Sequence, residues 1–248
     1  MLRTRVIPVV LIDGYSVLKT IQFKDRRNQG NPITVARIYN TRNVDELILL
    51  DIDASKEGRS IDLFTIEEIA SECFMPLAIG GGIRTIEDIR NVLDRGADKV
   101  VINTAAIENP EFVKEAVFQF GAQCIVGAVD FKKVNNDYFI YSRGKIIDKN
   151  PFDWCKELCA MGVGELFINS VDLDGTMSSC DLEMIEKVVK SVNIPVVYAG
   201  GVADPESYIT PLEKGVSAVA AASIFHFTRW TPDCVKRKLK ESGFSVRL

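Results

Sequence analysis

The chain is poor in several residue types that would point to particular chemistries. It has one histidine among 248 residues, so a Ser-His-Asp arrangement would rest wholly on His226. That histidine sits in Ile224-Phe225-His226-Phe227, between aromatic rings, and reads as a packing residue. No apolar run approaches the roughly 18 residues of a membrane span. The start, Met1-Leu-Arg-Thr-Arg-Val-Ile-Pro, has no long apolar core of a secretory signal, so a cytoplasmic location without membrane attachment is expected. Aromatic residues make up 8% of the chain, and the formal net charge is −4, from 30 basic and 34 acidic residues. There is no basic-aromatic platform, and no nucleic-acid partner is expected. Six scattered cysteines form no compact disulfide framework. Cys155 and Cys159 lie at helical spacing, but no further Cys or His is near enough in sequence to complete a metal site. Neither a metal nor a cofactor is expected.

What is present is an alternation. Short β-rich apolar runs at 5–11, 46–52, 76–79, 99–102, 123–129, 165–168, 195–198 and 218–221 are separated by helical patterns. Near-continuous apolar strands flanked by helices indicate a parallel sheet buried on both faces. Eight such units without a composition break predict one domain over 1–248, a (β/α)8 TIM barrel of the α/β class. Asn31-Pro32, Thr85-Ile-Glu-Asp88 and Asp204-Pro205-Glu206 read as helix starts, and Gly96 and Gly215 as helix ends. Two connections are long: 19–30, which is basic and polar, and 131–149, in which 138–141 could form a small hairpin. Both belong at the C-terminal face of the barrel, where long loops are more often lids than linkers.

Two stretches read alike at one ungapped offset of 119 residues. Glu46 pairs with Glu165, Gly81-Gly82 with Gly200-Gly201, and Thr104 with Ser223. The pattern predicts an internal half-barrel duplication, with halves of roughly 1–120 and 121–248. Each half offers an anion cradle. Gly81, Gly82, Asn103 and Thr104 supply one, and Asp174, Gly175, Gly200, Gly201 and Ser223 the other. Glycine lets backbone approach a phosphate closely, and hydroxyls and N–H groups supply donors. Two cradles imply a small molecule with a phosphate at each end. Asp130 ends strand 5, and a carboxylate between two phosphate sites is well placed as a general acid or base. Its counterpart at the same offset is Leu11. Asp51 and Asp53 also lie at a strand end, where a structural role is at least as natural. At the other end of the barrel, Arg5, Glu46, Lys99 and Glu165 open strands 1, 2, 4 and 6 with alternating sign. From spacing alone they read as a salt-bridge ring closing the barrel floor.

These residues together resemble the HisF family, the cyclase subunits of imidazole glycerol phosphate synthase. The motifs that carry the resemblance are Leu50-Asp-Ile-Asp-Ala-Ser55, Gly80-Gly-Gly-Ile83, Ile102-Asn-Thr-Ala-Ala106, Asp172-Leu-Asp-Gly-Thr176, Ala221-Ala-Ser-Ile-Phe-His-Phe227 and the terminal Val246-Arg-Leu248. The resemblance implies a HisH-like glutaminase as heterodimer partner, docked on the barrel floor with Asp98 at the interface. It also implies ammonia passing upward through Arg5, Glu46, Lys99 and Glu165 acting as a gate. Lys19 matches the family's loop lysine and Asp130 its second catalytic aspartate. The first catalytic aspartate is missing: the family's acid falls on Leu11, or on Val10 if Asp13-Gly14 is slid into register. Asp13, two residues on, is the candidate substitute. Ala199 replaces a family serine beside the second cradle. Lys19-Thr20 and 71–76 resemble second HisF copies of surface-polysaccharide loci, thought to supply ammonia for amidino sugars with a sugar amidotransferase. Three readings follow: an ammonia-channelling subunit of a sugar-amidating system, a true cyclase of histidine biosynthesis, and a non-catalytic scaffold that activates a glutaminase.

Overall fold

The computed structural model describes residues 3–248. Twelve strands form one sheet. They are β1 (Arg5–Ile12), β2 (Val17–Ile21), β3 (Lys24–Gly30), β4 (Leu47–Asp51), β5 (Leu77–Gly80), β6 (Lys99–Ile102), β7 (Ile125–Val134), β8 (Asp137–Ser142), β9 (Lys145–Ile147), β10 (Glu165–Ser170), β11 (Val196–Ala199) and β12 (Ala218–Ala221). Eight of them, β1, β4, β5, β6, β7, β10, β11 and β12, pair in parallel, and the β10–β7 pairing closes the ring. Helices connect them, which gives a (β/α)8 barrel. In this ring β1 and β7 stand on opposite sides.

Strand alternation divides the core into two shells. Along β1, Val6, Val10 and Ile12 pack outward against the helices, whereas Ile7, Val9 and Leu11 point into the barrel. The inner shell is apolar and rich in small side chains, with Ala78, Ala128, Ala199, Ala218 and Ala220 among its members. Helix starts follow the sequence signals. Asn31 accepts from Ile33 N–H at 2.9 Å ahead of Pro32, and Thr85 and Asp88 form a reciprocal capping box. Gly96 and Gly215 close helices at φ +100° and +102°, a region that favours glycine.

The two long connections are not irregular loops. Residues 19–30 lie almost wholly in the antiparallel hairpin β2–β3, which adds to the end of β1 through Leu11↔Leu18. The second connection extends β7 to Val134 and returns through β8 and β9. Basic, polar β2–β3 has little apolar periodicity of its own. It is ordered by the sheet edge it joins and by contacts across the mouth, which a linear pattern does not show.

Candidate active site at the barrel mouth

A cavity of about 220 Å³ opens at the carboxyl ends of the barrel strands. Its walls bring together the residues of both cradles, Asp130, Leu11 and Lys19. Gly81 and Gly82 follow β5, and Asn103-Thr104 follows β6. Asp174-Gly175 follows β10, Gly200-Gly201 follows β11, and Ser223 follows β12.

The glycines are dictated by close backbone approach. A Cβ on Gly81 (φ +106°) would lie 2.2 Å from the Asp51 carbonyl oxygen, and one on Gly201 (φ +82°) 1.8 Å from that of Ser179. Tight packing alone therefore requires both, and the polar groups say more about ligands. Ser223 Oγ and Asn103 Oδ1 are buried and have no protein partner. A buried polar atom without a partner is costly, so each is a place for a ligand atom. Thr104 Oγ1 is 3.1 Å from Ser142 Oγ, a hydroxyl contributed by β8.

Asp130 is half-buried on the cavity wall. Asn103 Nδ2 donates to one carboxylate oxygen at 2.7 Å and Asn169 Nδ2 to the other at 3.2 Å. Burial pushes the carboxyl up to about 7, with the Asp174 charge in the same direction and the two amides opposing it. A group balanced there can exchange protons at neutral pH.

Leu11 is buried on the opposite strand with its side chain in the inner shell and on the cavity wall. Val10 points outward, so of the two registers only the ungapped one puts a side chain into the cavity, and that side chain is leucine. The structure does not bring Asp13 into the cavity. β1 ends at Ile12, the chain bends through 13–16 under an Asp13 N–H bond to the Ser16 carbonyl, and the Asp13 side chain is exposed.

Lys19 is not a free loop cation. It is 2% exposed, with Nζ 3.1 Å from both oxygens of Asp174 and 2.6 Å from the Thr20 carbonyl. Thr20 Oγ1 also donates to Asp174, at 3.1 Å. The hairpin is held over the mouth on this side by Gln22 N–H to the Asp174 carbonyl, and on another side by Arg26 against Asp53. Asp51 is committed to structure: it binds Arg59 through both oxygens and accepts the N–H groups of Asp53 and Ala54. Burial, with Lys19 and Arg42 nearby, pulls His226 down to about 4, so it is neutral at pH 7, and its ring packs edge-on to Tyr39. Among the described residues no group of three His, Cys, Asp or Glu side chains could hold a metal ion, and no helix is long and apolar enough to cross a membrane.

At the floor, Arg5, Glu46, Lys99 and Glu165 meet in one ring. Arg5 reaches Glu46 at 2.7 Å and also binds Glu165. Lys99 Nζ lies 2.9 Å from Glu46 and 3.0 Å from Glu165. Burial opposes these charges, but the mutual pairing outweighs it: Arg5 is raised and Glu165 lowered from their ordinary values. Asp98 is exposed on the same end, its carboxylate accepting the Leu77 N–H at 2.8 Å.

Sequence reasoning missed Asn169. The signal was available: it is polar inside an apolar run, at the same strand parity as Glu165. Ser142 and Thr20 were missed because only the folded connections carry them to the mouth.

A closed parallel barrel with polar groups gathered at the carboxyl ends of its strands is the arrangement of barrel enzymes. Residues 5–231 match the family of histidine biosynthesis proteins, and the chain belongs to that family. Among its relatives, a Campylobacter jejuni protein with the provisional name imidazole glycerol phosphate synthase subunit hisF2 is 46% identical over 248 residues, covering 100% of both chains. The imidazole glycerol phosphate synthase subunit HisF of Helicobacter hepaticus is 41% identical, covering 100% of this chain and 99% of that one. Within its family the chain is HisF-like.

Proposed function

We propose that this HisF-like chain is the synthase subunit of a glutamine amidotransferase whose product is an amidated surface-polysaccharide sugar. In this reading a HisH-like glutaminase docks on the floor beside Asp98. Ammonia crosses the ring of Arg5, Glu46, Lys99 and Glu165 and reaches Asp130 in the mouth. A phosphorylated small molecule lies between the two cradles, and a sugar amidotransferase is the further partner. Val101 and Phe167 line the cavity, two residues beyond the ring members Lys99 and Glu165 on the same strands. That short apolar interval supports a route for a small neutral molecule. The 119-residue correspondence is read as a half-barrel duplication within one domain.

The observation that carries the proposal is that, of the cavity's carboxylates, Asp51 and Asp174 are paired with Arg59 and Lys19, which leaves Asp130 as the acid not tied to a basic side chain. Asp130 has leucine on the opposite strand, where the family's pattern has a second aspartate. Loss of a positioned acid or base lowers a rate by about 10²–10⁴, which an ordinary cyclase would not survive. A second reading, the cyclase of histidine biosynthesis, is favoured by the two retained cradles and by the names of both relatives. The purified chain with saturating ammonium chloride and the cyclase substrate distinguishes them. The proposal expects imidazole glycerol phosphate to form at least about 100-fold more slowly than with a HisF. A rate within tenfold of a HisF, lost in Asp130→Asn, would establish the cyclase instead.

A further inference from the structure

Asp130 is held by two amides from two different strand ends. Asn169 lies directly beside it in the β10–β7 register and is buried. Its Nδ2 donates to one carboxylate oxygen, while Asn103 Nδ2 donates to the other. Because each oxygen has its own donor, the carboxylate cannot turn without breaking one of the bonds. A carboxylate has about four acceptor positions, so roughly two remain for a ligand. Amide donors bind the ionised form better than the protonated one, which keeps the group available as the carboxylate, the form that can accept a proton. Asn103 Oδ1 is left without a partner, a further acceptor at the same place. Acceptors gathered at one point suit a ligand rich in N–H donors.

We propose that Asn169 is the positioning residue that makes Asp130 the proton acceptor of the mouth, so that ammonia handling there runs on one base. The inference rests on the reading that ammonia reaches Asp130. When ammonia adds to a carbonyl or imine carbon of the bound molecule, the N–C bond forms as the carbon's π bond opens and its electron pair moves to the attached oxygen or nitrogen, and the incoming nitrogen becomes positively charged. One proton then passes from that nitrogen to a carboxylate oxygen of Asp130, and the electron pair of the broken N–H bond stays on nitrogen. Asn169 acts through its hydrogen bond to Asp130.

The other ionisable groups facing this point are few. Asp174 stands on the loop after β10, with its charge met by Lys19 of β2. Asp51, the last residue of β4, is met by Arg59. Lys56 and Arg143 line the outer cavity wall, paired with Asp53 and Glu108. None of these donates a hydrogen bond to Asp130, and the Asp174 charge opposes ionisation, so the bias toward the carboxylate comes from the two amides.

The test is a carboxyl-carbon NMR titration of the full-length protein labelled at aspartate, with the Asp130 signal assigned by its loss in Asp130→Asn. In Asn169→Leu the Asp130 midpoint is expected to rise by about one pH unit, because a donor to the charged form is removed. In Asn169→Asp, which keeps the side-chain shape, it is expected to rise further. Thermal melts check that both variants fold. An unmoved midpoint in folded Asn169→Leu and Asn169→Asp would overturn the proposal. The acid limb of the ammonium-dependent rate profile is expected to move with the midpoint, with KM for the phosphorylated substrate little changed. A shifted midpoint in a protein without ammonium-dependent turnover would support the positioning by Asn169 and refute the functional reading separately.

Discussion

The two sides of the barrel mouth, β7 with its neighbours and β1 with its neighbours, share a backbone plan and differ in chemistry. On one side Asp130 lies in register with Asn169 and takes a second amide from Asn103. On the other, Leu11 lies in register with Leu50, and Ala222 stands on the cavity wall where the offset places Asn103's counterpart. The difference is a whole neighbourhood, three polar residues against three apolar ones. A carboxylate can be buried where donors meet it, and the same group among leucine and alanine would be unsolvated and unpaired. The leucine at position 11 therefore matches its surroundings.

The comparison breaks most visibly through activity. Asp130→Asn is expected to lower ammonium-dependent product formation by about 10²–10⁴-fold at saturating ammonium chloride. A loss under tenfold would make the polar side as dispensable as the apolar one. Next in size is the reverse transplant. Leu11→Asp buries a carboxylate without donors and is expected to reduce stability by about 2–3 kcal/mol in urea unfolding. Adding Leu50→Asn and Ala222→Asn, which copies the surroundings of Asp130, recovers part of that loss. If Leu11→Asp alone is neutral, the surroundings do not exclude the acid.

The smallest effect is on the pH dependence of stability. Asp130 titrates near 7 in the folded protein, above the unfolded value near 3.9. The folded state therefore holds the proton more tightly, and Asp130 makes stability fall as pH rises from about 4 to 7. Asp130→Asn removes that fall. The variant is expected to gain about 1–2 kcal/mol over the natural protein at pH 8 and nothing below pH 4, less than the full shift implies because the group still touches the cavity. Equal gains at both pH values would show that the carboxyl is not held in its protonated form by the fold.

Much of this molecule was legible before folding. The eight apolar runs mark the barrel strands to within a residue or two at most ends, because a strand covered on both faces must be nearly all apolar. The floor ring was readable from four charges opening otherwise apolar strands, which have to find partners. The cradle glycines were readable as turns of unusual backbone. The hairpin β2–β3 was read as a loop, since its order comes from the edge of β1 and the Asp174 and Asp53 contacts. Lys19 was read as a loop lysine, and only the folded hairpin shows that it lies on β2, buried against Asp174.

The sequence by itself determined the eight barrel strands, the inward alternation and the lack of an acid at either candidate position, Leu11 or Val10, because these follow from local periodicity and register. Only the tertiary structure decided that Leu11, not Val10, enters the mouth, that Asp13 turns away from it, and that Asn169 and Asn103 converge on Asp130. Those facts depend on where β1 ends and on which strands close the ring, and distances between side chains remote in sequence exist only once the ring is closed.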